Sequence, residues 1–125
     1  MTMVPNGAEV ARPFLPAKDL GESRRFYEAL GFEKLLDSDV VIFAVGATSF
    51  ILTSFHEENF ANNYMMQLMV DDLDAWWNRI VSLDLPARFA VPAPKPPALQ
   101  LWGLRVDPCG VLWHFAQRRP GKPAD

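Results

Sequence analysis

This sequence has a single cysteine and only a small excess of acidic over basic residues. Cys109 is the single cysteine among 125 residues, which excludes an internal disulfide and is typical of a reducing compartment. The formal net charge is −3, so the basic surface that nucleic-acid binding requires is missing. Charged residues or prolines interrupt every apolar run before it reaches the length of a membrane span. We therefore expect a cytoplasmic protein with neither a nucleic-acid nor a membrane partner.

Proline, glycine and polar residues are concentrated at both ends of the chain and in one internal segment. Residues 1–10 and 119–125 have too few apolar side chains to join a core, so we expect flexible termini without a secretory signal. The segment VPAPKPPA (91–98) is predicted to be an irregular loop, and long loops in small domains often cover binding sites. The remaining residues, 11–118, are enough for one domain with its own core.

The first half of this domain predicts a strand, a helix and three further strands. Residues 11–17 are strand-like, and the helix over 19–30 begins with Asp19 and Glu22 at capping-box spacing. Gly31 is well placed to end that helix. The three strands that follow are Phe32–Leu36, Val40–Val45 and Ser49–Ser54.

The same order of elements then recurs. A strand over 63–70 precedes a second helix, DLDAWWNRIVSL, which Asp72 caps and which buries Leu73, Trp76, Trp77 and Ile80. Its three strands are predicted at Pro86–Ala90, Leu99–Val106 and Val111–Gln117. We therefore predict an α+β fold of two tandem βαβββ modules, 11–56 and 63–118. Each module leaves one sheet face bare, so we expect curved mixed sheets that pair edge to edge into a cup, with helices on the outer face.

Two motifs carry a resemblance to a known family. LPAKDLGESRRFYEALGF near the start and DPCGVLWHFAQ near the end resemble the opening and closing segments of the vicinal oxygen chelate superfamily. That superfamily includes glyoxalase I, bleomycin and fosfomycin resistance proteins and extradiol dioxygenases. The resemblance implies the same tandem βαβββ fold with a cup-shaped cavity. It also implies a homodimer, which in some members exchanges strands or modules between chains.

The resemblance also implies where a metal would be held, namely on the first and last strands of each module. The matching positions are Arg12, Leu52, Met65 and His114. Of these, only His114 has a metal-binding side chain, and a slip of one residue to Thr53, Met66 or Trp113 does not complete the set. A guanidinium 4 Å from a divalent ion is repelled by roughly 8 kcal/mol at an effective dielectric constant near 20. We expect no metal, no cofactor and no catalytic residue.

His114 therefore has several open interpretations. It could line the cavity as a hydrogen-bonding group, or it could be a satisfied core histidine. It could bind a metal together with His56 and either Glu57 or Glu58, although HEEN has the composition of a solvated turn. It could also be a general base, provided that a carboxylate orients it. Cys109, in a turn with no neighbouring base, is interpreted as an incidental turn residue.

Alternation along the strands predicts which side chains face the cup. Pairing across the DPCG turn places Gly103 opposite His114, which leaves space above the imidazole. Met69 belongs to the same wall. The predicted ligand-binding residues are Arg12, Phe14, Phe50, Leu52, Ser54, Met65, Gln67, Gly103, Arg105, Leu112 and His114.

A wall that is mostly apolar and rich in methionine suits an amphipathic small molecule. We therefore predict metal-independent binding or sequestration of such a molecule, similar to the bleomycin-resistance branch. The acidic net charge favours a cationic ligand, whereas Arg12 favours an anionic one. The charge of the ligand therefore stays open. The alternative is a glyoxalase-I-like lyase or a dioxygenase-like metalloenzyme with a non-standard ligand set.

Overall fold

The computed structural model describes residues 5–55, 57–94, 101–105 and 108–117. Along the chain its elements are β1 (Phe14–Pro16), α1 (Leu20–Leu30), β2 (Glu33–Asp37), β3 (Val41–Val45), β4 (Thr48–Thr53), α2 (Glu58–Asn62), β5 (Met65–Met69), α3 (Leu73–Ser82), α4 (Leu85–Arg88), β6 (Leu101–Arg105) and β7 (Leu112–Ala116). The predicted α+β class is confirmed, and the first module has the predicted βαβββ order.

The second module departs from the prediction after α3. The strand predicted at Pro86–Ala90 is wrong, because these residues belong to the short helix α4 and its end. Pro86 lies in the first turn of α4, where its missing N–H leaves no hydrogen bond unmade. The side chain of Leu85 is fully buried, and Phe89 donates its N–H to the Leu85 carbonyl at 2.8 Å.

Both long helices begin as their sequences predict. The Asp19 carboxylate accepts the N–H of Glu22, and the Asp72 carboxylate accepts that of Ala75, each at 3.0 Å. These carboxylates satisfy backbone donors that have no partner inside the helix. Gly31 ends α1 with φ of 95°, a conformation that favours glycine.

A second short helix, α2, was also not predicted from the sequence. Residues that we interpreted as a solvated turn form α2, whose N-cap Glu57 accepts the N–H of Phe60 at 2.7 Å. Glutamate is not among the residues that N-cap positions prefer, so the sequence carries no strong signal for the start of this helix.

The described strands form two sheets, with strand orders β1-β4-β3-β2 and β5-β7-β6. In each sheet the first strand of the module runs parallel to the last, and the hairpins pair antiparallel. Gly103 lies opposite His114 and Trp102 opposite Phe115, so the predicted register across the DPCG turn is confirmed.

The two sheets share one core through their helix-covered faces. The rings of Phe50 on β4 and Trp113 on β7 lie 5.6 Å apart, and Tyr27 on α1 contacts both. Trp113 also donates its indole N–H to the Tyr27 hydroxyl at 2.9 Å. In an edge-to-edge arrangement β1 and β5 would separate β4 from β7 by about 14 Å, three strand spacings. The described strands β1 and β5 are therefore not paired within one chain, and the two sheets meet through the side chains of a shared core.

A second link joins the two modules at the end of α1. Arg79 on α3 donates its Nε–H to the Leu30 carbonyl at 3.0 Å and an Nη2–H to the Ala29 carbonyl at 3.4 Å. These carbonyls lie in the last turn of α1, where intrahelical donors run out. The guanidinium also lies over Gly31, whose missing side chain makes room for it.

Candidate ligand-binding surface

Each sheet has an open face on the side opposite the shared core. The first open face comprises Phe14, Ile42, Ser49, Ile51 and Thr53, which share a face by register. The second open face comprises Met65, Gln67, Met69, Leu112, His114 and Ala116. Each open face lies opposite the face that contributes to the shared core, so both open faces point away from that core. Six of the predicted binding residues contribute to this surface: Arg12, Phe14, Met65, Gln67, Leu112 and His114.

Two predicted members of this surface lie elsewhere. Phe50 and Leu52 have no exposed surface and belong to the shared core. The partner of Phe14 across the parallel pair is Ile51, so Phe50 and Leu52 lie on the other face of β4. The prediction that they face the ligand is wrong, because alternation within each strand does not set the register between distant strands.

Arg12 is held on the first open face by a hydrogen bond. Its Nε–H donates to the Ser49 hydroxyl at 2.8 Å, and Ser49 lies on the face opposite to Phe50. Arg12 takes part in no ion pair with the residues that the structure describes. Its positive charge is thus available at the start of β1, beside Phe14, which is 59% exposed.

The second open face combines exposed methionines with one polar pair. Met65 and Met69 are 62% and 45% exposed at the two ends of β5. Between them, Gln67 lies opposite His114, and the Gln67 Nε2 and His114 Nδ1 atoms are 3.4 Å apart. A neutral amide is therefore the described partner of His114, and not the carboxylate that a general-base histidine requires.

Three further predicted residues lie at the margins of these faces. Ser54 is exposed just beyond the end of β4. Gly103 and Arg105 pair with His114 and Leu112, and the side chain of Arg105 lies outside the described part of the chain. The ligand-binding role of these residues stays a prediction.

The positions that resemble metal-ligand positions do not form a donor cluster. Leu52 lies in the core, whereas Arg12, Met65 and His114 lie on open faces. Over residues 5–55, 57–94 and 108–117, no three His, Cys, Asp or Glu side chains are placed to hold a metal ion together. His56 lies outside the described residues, and the Glu57 carboxylate caps α2.

Cys109 has a structural contact between the two modules. The Lys18 backbone N–H, just before α1, donates to the buried Cys109 sulfur in the turn before β7. The thiol therefore joins the start of α1 to the closing hairpin.

A cavity of about 360 Å³ lies at the C-terminal end of β5. Its walls come from the β3–β4 turn at Val45 and Gly46, from Met69, and from Trp76 on α3. Asp71 and Asp72 also line it, so a largely apolar space has an acidic side. Met69 lies on both this cavity and the second open face.

The fold and these faces define a two-module α+β protein with bare sheet surfaces. The chain belongs to the Glyoxalase/Bleomycin resistance protein/Dioxygenase superfamily, whose family model matches residues 9–115. Comparison with curated protein sequences finds no match. No helix in the described residues is long and apolar enough to cross a membrane.

Solved structures of the same family include bleomycin-binding proteins. The chain is 25% identical to a bleomycin-binding protein complexed with bleomycin, with a TM-score of 0.70, covering 90% of this chain and 100% of that one. It is also 25% identical to the bleomycin-binding protein from bleomycin-producing Streptomyces verticillus complexed with copper(II)-bleomycin, with a TM-score of 0.72 and coverage of 94% and 100%. Lactoylglutathione lyase from Agrobacterium tumefaciens shares the fold at 21% identity, with a TM-score of 0.62 and coverage of 90% and 96%.

Proposed function

We propose that this protein binds a small amphipathic molecule, of the bleomycin type, without a metal of its own. The binding cup is made by the first open face of one chain and the second open face of another. The observation that carries this proposal is that the open faces are largely apolar, point away from a shared core and have no partner strand or helix among the described residues. They can enclose a ligand only when a second copy supplies the facing wall.

The composition of the two faces supports an amphipathic ligand. Met65 and Met69 offer flexible apolar contacts that adapt to irregular shapes. Polar contacts would come from Gln67 and His114 on one wall and from Arg12 on the other. A few polar groups on an apolar wall orient a ligand without requiring chemistry on it.

The strand edges support assembly from two chains. Among the described strands, β1 and β5 each have one edge with no strand beside it. A free edge offers backbone donors and acceptors to another strand. Pairing β1 of one chain with β5 of its partner would align a first open face with a second open face, and a symmetric dimer would contain two such cups.

Similarity to bleomycin-binding proteins supports bleomycin as the first molecule to try. Two structures at 25% identity, described as complexed with bleomycin and with copper(II)-bleomycin, are matched over their full length. The experiment is an isothermal titration of the full chain with metal-free bleomycin and, separately, with copper(II)-bleomycin. We expect one molecule bound per chain by a dimer.

A matched pair of variants tests the site. Met69→Ser removes an apolar side chain from the second open face, and Val81→Ser removes one of similar exposure (52%) from the outside of α3. Burial of a methionine side chain contributes about 1.5–3 kcal/mol, so we expect Met69→Ser to weaken binding about tenfold or more. Val81→Ser should bind as the wild type does. Absence of binding to both forms of bleomycin, or equal affinity of the two variants, contradicts the proposal.

A further inference from the structure

The polar pair at the centre of the second open face restricts how His114 can interact. His114 is the middle residue of β7, with Gln67 of β5 opposite on one side and Gly103 of β6 opposite on the other. The Gln67 amide nitrogen lies 3.4 Å from Nδ1 of the imidazole. Gly103 has no side chain, so this residue places no side-chain atoms beside the ring.

This contact has a consequence for the imidazole proton. An amide NH₂ group can only donate, so this contact is a hydrogen bond only in the tautomer whose Nδ1 accepts from Gln67. A neutral imidazole that accepts at Nδ1 carries its proton on Nε2. In this tautomer, the Nε2 atom offers a hydrogen-bond donor and no lone pair.

We infer that Gln67 is a positioning residue that keeps the His114 proton on Nε2, so that the second open face presents a donor to an acceptor oxygen of the ligand. The inference deepens the proposed function and rests on it for the ligand. The class of ligand it selects carries a carbonyl or amide oxygen at this point of the cup. A ligand with a donor group at this point would be disfavoured, because two donors would meet.

Replacement of Gln67 by Glu reverses this arrangement with almost no change in shape. A carboxylate only accepts, so it takes the proton of Nδ1–H and leaves a lone pair on Nε2. Gln67→Met keeps the length of the side chain but removes the hydrogen bond. We expect Gln67→Glu to reverse the tautomer, and Gln67→Met to give a mixture of both tautomers.

The tautomer is measured on the ligand-free protein by nitrogen NMR of ¹⁵N-labelled histidine at pH 8, where ordinary histidines are neutral. Protonated and unprotonated ring nitrogens have distinct shifts, and a His56→Gln variant assigns the signals, since the chain has two histidines. A wild-type proton on Nδ1, or an unchanged tautomer in Gln67→Glu, overturns the inference. A change in tautomer is a readout that a merely structural role of Gln67 would not produce.

Metal-free bleomycin then tests the ligand class. Loss of the donor should weaken binding about tenfold in Gln67→Glu, with Gln67→Met between it and the wild type. Equal affinity of all three proteins, despite a reversed tautomer, overturns the claim that the donor recognises the ligand. If the wild type binds no bleomycin, the proposed function fails, whereas the nitrogen spectrum still decides the role of Gln67.

Discussion

Strands β2 and β5 both lie at the edge of a sheet, but β2 is rich in charged residues whereas β5 has none. All five residues of β2 are exposed, and three of them are charged: Glu33, Lys34 and Asp37. Lys34 pairs with Asp37 at 2.9 Å, and a register shift interrupts the strand. Strand β5, with the sequence MMQLM, has no charge at all.

The backbone of β5 shows which residues its free edge presents. Leu112 donates its N–H to the Tyr64 carbonyl, and Val70 donates to the Ala116 carbonyl, so even-numbered residues of this segment bond to β7. Alternate residues of a strand direct their backbone groups to opposite sides. The N–H and C=O groups of Met65, Gln67 and Met69 therefore point to the free edge.

If chains pair through a sheet edge, this difference favours β5 over β2. Charges and irregular pairing discourage a second strand, which suits the β2 edge to water. An uncharged, methionine-rich edge has no such protection and is suited to strand pairing. The edge of β1 is intermediate, because Pro16 lies at a position whose N–H would otherwise point outward. For the proposed dimer, the comparison favours an interface at β5 and β1 over one at β2.

The largest expected change in the free energy of unfolding tests whether the two sheets unfold together as one unit. Trp113→Ala removes the ring that joins the two sheets and should lower the free energy of unfolding by about 3–5 kcal/mol. Trp113→Phe, which keeps a ring but loses the hydrogen bond to Tyr27, should cost less. Urea unfolding followed by circular dichroism and fluorescence should give one coincident transition. Separate transitions for the two modules would contradict a shared core.

The next effect tests the β5 edge itself. Met65→Pro removes a backbone donor from the free edge, and proline is tolerated at the first residue of a strand. Met65→Ala is the matched control, because it removes the same side chain but keeps the N–H. If β5 pairs between chains, the proline variant should weaken the dimer beyond the alanine variant by about 1–3 kcal/mol, or roughly 5- to 150-fold. Sedimentation equilibrium measures both, and identical dissociation constants would exclude this edge from the interface.

A smaller expected loss of stability tests the second contact between the modules, where Arg79 meets the end of α1. Gly31→Ala places a Cβ atom 2.6 Å from Nη2 of Arg79 and forces alanine into a left-handed conformation. Gly46→Ala also has a positive φ, of 57°, but its Cβ meets nothing within 4 Å. The backbone cost is about 1–2 kcal/mol in both, and displacement of Arg79 adds about 1 kcal/mol at Gly31. Equal melting temperatures of the two variants would show that Arg79 does not join the modules.

The smallest expected change in melting temperature concerns the ion pairs formed by Asp37 at the end of β2. Hydrogen bonds from Lys34 and Arg24 lower the pKa of the Asp37 carboxyl below its ordinary value of 3.8. A depressed folded-state pKa stabilises the protein above about pH 3.8, and that stability is lost as the pH falls through the lower value. Asp37→Asn should therefore melt slightly below the wild type at pH 6, and the difference should vanish in strong acid.

Salt and a neighbouring residue provide the control for this measurement. Because the Asp37 pairs are exposed, 0.5 M NaCl should reduce the difference in melting temperature. Asp39→Asn, which changes an acidic residue outside these ion pairs, should melt as the wild type does at each pH. A pH-independent difference for Asp37→Asn would show that its charge is not what stabilises this edge.

Local features of the site could be predicted from the sequence alone. The helix caps at Asp19 and Asp72, the stop at Gly31 and the pairing of Gly103 with His114 all depend on residues near one another in the chain. Short-range hydrogen bonds and tight turns leave few alternatives. The family could be recognised for the same reason, because its two motifs are a capped helix and a closing hairpin.

Long-range contacts set two features that the sequence did not reveal. These are which face of each sheet is buried and how the two modules meet. Ile51, and not Phe50 or Leu52, shares a face with Phe14, because the parallel register between β1 and β4 depends on contacts 37 residues apart. The α4 helix lies where a strand was predicted, and it buries Leu85 in the core. Contacts between sheets leave no periodic pattern in the sequence of either strand, so they cannot be predicted from one strand alone. Local sequence therefore specifies most of the helices, strands and turns, whereas long-range packing sets which faces the chain buries in its own core and which it leaves bare.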